Sequence, residues 1–80
     1  MVIDVTRSHI KVGLLGRTAT LPGEMFFPEG GKLGFAIFKS QAKFWDAPND
    51  RDVITDDELT AIVVDIRADF AKGGHTLEVE

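Results

Sequence analysis

Apolar and polar residues alternate over several short stretches of the chain. Between His9 and Leu15, every second residue is apolar, at Ile10, Val12 and Leu14. A period of two predicts a strand with one buried face. Further strands are predicted by short apolar runs at Val2–Thr6, Thr18–Leu21, Phe35–Phe38 and His75–Glu80. We expect the first four strands to form an antiparallel meander and the last to join the same sheet.

Glycine and proline mark the predicted turns between these strands. Gly16–Arg17 separates the second strand from the third, and the dipeptide Pro22–Gly23 is expected to end the third. The segment Pro28–Lys32, with two glycines after a proline, reads as the clearest loop of the chain. The segment Lys39–Asp52 shows no regular period, and we expect a short helical turn followed by a loop at the edge of the core.

The period changes to that of a helix after Thr55. Thr55 and Glu58 have the spacing of a capping box, and Gly73–Gly74 supplies a left-handed stop. One face of the predicted helix is apolar and consists of Leu59, Ile62, Val63, Ile66 and Phe70. The pattern therefore predicts an amphipathic helix that lies with this face on the sheet.

Together the elements predict an α+β fold: a small antiparallel sheet of about five strands packed on one C-terminal amphipathic helix. The 80 residues are expected to form one domain, 1–80, because two halves would each bury too little apolar surface. No cysteine is present, so disulfides and thiolate metal sites are excluded, and we expect a cytoplasmic protein. The N-terminus does not resemble a signal peptide, and no apolar run reaches the ~20 residues of a membrane span.

Charge is distributed unevenly along the chain. The net charge of −4 disfavours nucleic acid as a partner. Residues 1–40 contain five Lys/Arg and three Asp/Glu, a balance of +2, whereas residues 41–80 contain four Lys/Arg and ten Asp/Glu, a balance of −6. An acidic half of this kind either steers a basic protein partner towards the chain or simply keeps the surface solvated.

The sequence contains no set of residues that requires a reaction. The two histidines, His9 and His75, both sit at the starts of predicted strands and not on a helix with a second ligand one turn away, so no metal site is predicted. The acidic residues between Asp46 and Asp57 lack the spacing of an EF-hand and are explained by turns and a helix start. We therefore predict no catalytic residue, no cofactor and no metal. The alternative is a small-ligand or enzymatic site under the loop 44–48, with one of the histidines as its polar group.

Three acidic side chains are predicted to lie along one flank of the helix, at Glu58, Asp65 and Asp69. With Trp45 and Asp46 in the preceding loop, they are our candidate partner-binding residues. Two places are open to Trp45: the core or its edge, which its large ring favours, or an exposed position as a binding anchor. The opposite side of the helix carries small residues that would suit either self-association or simple exposure, namely Ala61, Val64, Ala68 and Ala71.

Several short motifs of the chain carry a family likeness. In the second half they are Phe38–Ser40, Trp45 with Pro48, Ile54–Thr55 at the start of the helix, Ile62 and Ile66 within it, and Leu77–Glu80; the first half fits more loosely, through a strand pair followed by Gly23–Glu24. With these motifs the chain resembles the immunity protein 74 family of bacterial polymorphic-toxin systems. The resemblance implies a cytoplasmic α+β immunity protein that binds a toxin domain and blocks it without chemistry of its own. The acidic second half adds the expectation that this toxin domain is basic. The resemblance carries over no toxin-contact residues.

Overall fold

The computed structural model describes residues 1–28, 30 and 32–80 and shows the predicted α+β fold. The strands are β1 (Val2–Val5), β2 (His9–Leu14), β3 (Arg17–Phe26), β4 (Gly34–Ile37) and β5 (Thr76–Val79), and the helix is α1 (Asp56–Gly73). A short 3-10 turn at Lys39–Gln41 follows β4 and agrees with the predicted helical turn. The predicted loop at Pro28–Lys32 contains Glu29 and Gly31, which lie outside the described residues.

The five strands form one sheet in the order β1-β2-β3-β4-β5. β1 to β4 are antiparallel neighbours, as predicted, whereas β5 runs parallel to β4, with Gly34 opposite Thr76 and Ile37 opposite Val79. The sheet is therefore mixed, and the expectation of an antiparallel sheet was wrong for its last strand. The reason lies in the connection, because α1 returns the chain to the end of the sheet at which β4 begins.

β3 is longer than predicted because it continues through Pro22–Gly23. The expected turn at this dipeptide was wrong. The amide of Gly23 donates to the Ser8 carbonyl at 3.0 Å, and the Pro22 carbonyl accepts from the Phe38 amide at 2.9 Å. A Cβ at position 23 would overlap the carbonyl oxygen of Ala36 and the ring of its neighbour in β4, so glycine here permits close approach of two strands.

The core lies between one face of the sheet and α1. The sheet contributes the buried side chains Ile10, Val12, Ala19, Leu21, Phe35 and Ile37. The helix contributes Leu59, Ile62, Ile66 and Phe70. Val63, which was predicted in the same apolar face, is half-buried at its margin. The apolar face of the sheet and the apolar face of the helix thus pack against each other, as the spacing of the apolar residues predicts.

Both ends of α1 are as the sequence predicts. The Thr55 hydroxyl accepts from the Glu58 amide at 3.1 Å, and the Glu58 carboxylate accepts from the Thr55 amide at 3.0 Å, which completes the capping box. Gly74 ends the helix with φ 70°, in the left-handed region that glycine tolerates. Within the described residues, no helix is long and apolar enough to cross a membrane.

Candidate interaction surface

The acidic flank of α1 is partly neutralised by contacts inside the chain. The carboxylate of Glu58 forms an ion pair with the guanidinium of Arg17, which also lies 4.2 Å above the centre of the Trp45 ring. The pKa of Glu58 is lowered, first because the Thr55 amide donates to its carboxylate and also because Arg17 is adjacent. Glu58 therefore joins α1 to β3 and contributes little free charge.

The other two acids of the flank differ from each other. Asp65 is half-buried and forms an ion pair with the N-terminal ammonium of Met1. Asp69 is exposed, and no ion pair joins it to another described residue. Of the three acids predicted to form the flank, Asp69 is thus the one that presents an uncompensated charge to solvent.

The loop residues Trp45 and Asp46 hold the segment 42–54 on the sheet. Trp45 is 2% exposed and belongs to the core, the alternative that its sequence context left open. The Asp46 carboxylate accepts from the Thr20 hydroxyl at 2.7 Å, and its amide donates to the Thr18 carbonyl at 2.8 Å. Both residues support the surface around the flank, and the Trp45 side chain is too deeply buried to offer a contact area of its own.

The two histidines have local structural partners. The Nδ1 of His9 lies 3.1 Å from the Thr6 hydroxyl, within a turn between two strands. The Nδ1 of His75 accepts from the Leu33 amide at 3.1 Å, and its ring meets Phe70 edge to face. Among the described residues, no group of three or more His, Asp or Glu side chains has the arrangement of a metal site.

Two adjoining clefts follow the other flank of α1. The larger, which we call the Phe44 cleft, has a volume of about 540 Å³ and lies between the loop, the 3-10 turn and the helix start. It is lined by Lys39, Ser40, Ala42, Lys43, Phe44, Val53, Ile54, Asp56, Leu59 and Glu80. Neither histidine lines it, so the polar group required by the alternative small-ligand site is not supplied by His9 or His75.

The second cleft, which we call the β5 groove, has a volume of about 330 Å³. It lies between the helix and the outermost strand and is lined by Thr60, Val63, Val64, Arg67, Val79 and Lys39. Lys39 borders both clefts, so they adjoin each other along α1, and we refer to the two together as the depression. Its margins carry large exposed apolar side chains, with Phe44, Val53 and Val64 between 52% and 61% exposed.

Sequence reasoning did not identify this depression. The sequence places Val64 on the small-residue side of the helix, Lys39 in an irregular segment and Val79 in the last predicted strand, with nothing that brings the three together. The adjacent residues Val63 and Val64 could have indicated an apolar margin on the helix. A helix that packs on a sheet buries one of two adjacent apolar residues and leaves the other near solvent. Placing Val79 beside them required the direction of β5.

Comparison with a family model identifies the chain. The model of immunity protein 74 matches residues 2–80. The chain belongs to the immunity protein 74 family. Comparisons with curated proteins and with solved structures found no significant match.

Membership in the immunity protein 74 family confirms the resemblance seen in the sequence, in the second half of the chain and in the more loosely fitting first half. Immunity proteins counteract toxins, so the family indicates a toxin as the protein partner. Such proteins generally act by binding rather than by catalysis. The family therefore directs attention to surfaces, and the structure offers two: the acidic flank and the depression on the other side of α1.

Proposed function

We propose that this immunity protein 74 member neutralises a toxin domain in the bacterial cytoplasm by binding it, with no chemistry of its own. The observation that carries the proposal is the family match over residues 2–80. The described side chains are consistent with it, because Glu58 serves as a helix cap and ion-pair partner and the two histidines make local contacts in the fold. A protein that acts by occupying a surface needs a stable fold and exposed binding residues rather than an activated nucleophile or base.

The acidic flank belongs to this proposal as a steering surface. Asp69 presents negative charge that attracts a basic toxin domain over a distance of about one Debye length, whereas the charge of Asp65 is compensated by the N-terminal ammonium. Glu58, Trp45 and Asp46 act indirectly, since they hold the helix and the loop in place beneath that surface. The charge on the flank thus raises the rate of encounter, and the apolar depression supplies area for the final complex.

The proposal predicts stoichiometric neutralisation. The toxin domain encoded beside this chain's gene is mixed with increasing amounts of the purified chain, and the residual toxin activity is measured. We expect activity to fall linearly and to vanish near equal molar amounts, because each bound copy removes one toxin molecule.

An unfolded variant provides the control for this titration. Ile66→Asp places a charge in the centre of the core, where Ile66 is fully buried, and should abolish neutralisation together with folding. Complete inactivation by a small fraction of one equivalent would indicate catalysis and contradict the proposal. Full toxin activity at excess wild-type chain would also contradict it.

A further inference from the structure

The outer edge of β5 is an unpaired strand edge. β5 is the last strand of the sheet, and no described strand lies beyond it. The Thr76 amide donates to the Leu33 carbonyl and the Glu80 amide to the Ile37 carbonyl, both towards β4. Because alternate residues of a strand direct their backbone groups to opposite sides, Leu77 and Val79 direct theirs outwards. These two residues present two N–H and two C=O groups without partners in the described structure.

The opposite edge of the sheet is protected. The pairing of β1 with β2 is interrupted by a bulge between Val2 and Asp4, and the Asp4 carboxylate accepts from the Val5 amide at 3.0 Å. Bulges and charged residues are common means by which edge strands avoid further pairing. β5 has no bulge in its register with β4, and no described side chain bonds its amides; its charge is confined to Glu78 and Glu80, which admit a basic strand and disfavour an acidic one. The two edges therefore differ in their readiness to accept another strand.

The surroundings of β5 determine what kind of strand would fit. On the side of α1, Val79 lies beside Val63 and Val64 in the β5 groove, so a strand placed there would bury apolar side chains. On the other side, Glu78 is exposed and carries a negative charge. Lys39 and Arg67 line the groove and disfavour basic residues on the helix side. Apolar residues are thus favoured towards α1, and basic residues opposite Glu78.

A second copy of the chain is a poor occupant of this edge. In the antiparallel arrangement that pairs both outward residues, Leu77 of one copy bonds Val79 of the other. Glu78 then faces Glu78 of the second copy, and like charges directly opposite one another destabilise a strand pair. The charge pattern therefore favours a different chain.

We propose that β5 pairs with an extended segment of the toxin in which apolar and basic residues alternate, and that the apolar side chains fill the β5 groove. The inference rests on the proposed function for the identity of the partner. Main-chain hydrogen bonds from Leu77 and Val79 supply affinity, and the groove and Glu78 supply register and selectivity.

Amide hydrogen exchange of the free protein tests whether the outer edge of β5 is unpaired. We expect the amides of Leu77 and Val79 to exchange fast and that of Glu78, which points to β4, to be protected. Protection of all three in the free chain would overturn the proposal, since the edge would already be covered.

A short synthetic peptide of alternating lysine and valine tests the edge without the toxin. Followed by NMR, it should shift the amides of Leu77 and Val79, and a peptide of alternating glutamate and valine should bind more weakly. Equal binding of both peptides, or shifts confined to another surface, would overturn the inference.

Two variants address the groove and the backbone separately. Val64→Arg introduces a charge at the rim of the groove, and Ser8→Arg adds the same charge to the exposed turn between β1 and β2, outside both clefts and the acidic flank, as a matched control. Val79→Pro removes an outward N–H and leaves the bonds from β5 to β4 in place. Thermal unfolding verifies that each variant is folded.

We expect Val64→Arg and Val79→Pro each to weaken the Kd for the toxin domain about tenfold, as loss of one interaction of this kind implies, and Ser8→Arg to bind like wild type. Folded variants that all bind like wild type would overturn the inference and leave the proposed function intact. If the wild-type chain does not bind the toxin, the proposed function fails, and the peptide and exchange results still decide whether β5 accepts a strand.

Discussion

Arg17 joins three parts of the molecule. From the start of β3 it forms an ion pair with Glu58 on α1 and lies above the Trp45 ring. Its Nη1 atom also lies 3.8 Å from the Oδ2 atom of Asp52. The Trp45 Nε1 is buried without a hydrogen-bond partner among the described residues, so the ring is held by packing and by the guanidinium. A single side chain thereby ties the loop, the sheet and the helix start together.

At the residue scale, the lowered pKa of Glu58 predicts how stability depends on pH. A carboxylate whose pKa is lower in the folded state stabilises the fold above its unfolded-state pKa, and this stabilisation is lost as the pH falls through the folded-state pKa. Glu58→Gln should therefore lower the Tm at neutral pH and have a progressively smaller effect below about pH 4, the ordinary range of glutamate.

Asp57→Asn is the matched control for Glu58→Gln, because it removes a carboxylate from the same helical turn without touching Arg17. Thermal unfolding of both variants across the pH range gives the comparison. An equal loss of Tm at all pH values in Glu58→Gln would show that the charge of Glu58 does not stabilise the fold.

At the element scale, the continuity of β3 depends on the absence of a side chain at position 23. A methyl group there would overlap the Ala36 carbonyl and the Phe35 ring, whereas one at Gly13 would meet Ile3 at an ordinary contact of 3.4 Å. Gly23→Ala should destabilise the fold by about 1–3 kcal/mol through overpacking. Gly13→Ala should be close to neutral. Denaturant unfolding measures both, and similar midpoints would contradict the account of β3.

At the scale of the whole molecule, the acidic flank and the apolar depression lie on different sides of α1. A change of charge on the flank should therefore affect the rate of association with the toxin. Asp69→Lys should slow association with a basic toxin domain about two- to fivefold at low salt and have little effect at high salt. Glu24→Lys makes the same change of charge on the face of the sheet away from α1 and serves as the control. Stopped-flow association rates over a range of salt concentrations would show the difference. Identical rates for both variants would remove the acidic flank from the steering model.

The sequence by itself determined the number and order of the strands and the helix, the capping box of α1, and the apolar faces of β2 and α1 that meet in the core. These follow from local periods and from contacts between residues close in the chain, such as Thr55 with Glu58. It also indicated the family, because short motifs can be compared between sequences without knowing how their residues are arranged in space.

Only the tertiary structure decided the direction of β5, the continuity of β3 and which acids of the flank are paired. The pairing of Arg17 with Glu58 joins residues 41 positions apart, and no local pattern encodes such a contact. The β5 groove has the same origin, since Val79 and Val64 meet through the parallel return of the last strand. Burial and strand pairing depend on how elements face each other, and that is set by the packing of the complete chain.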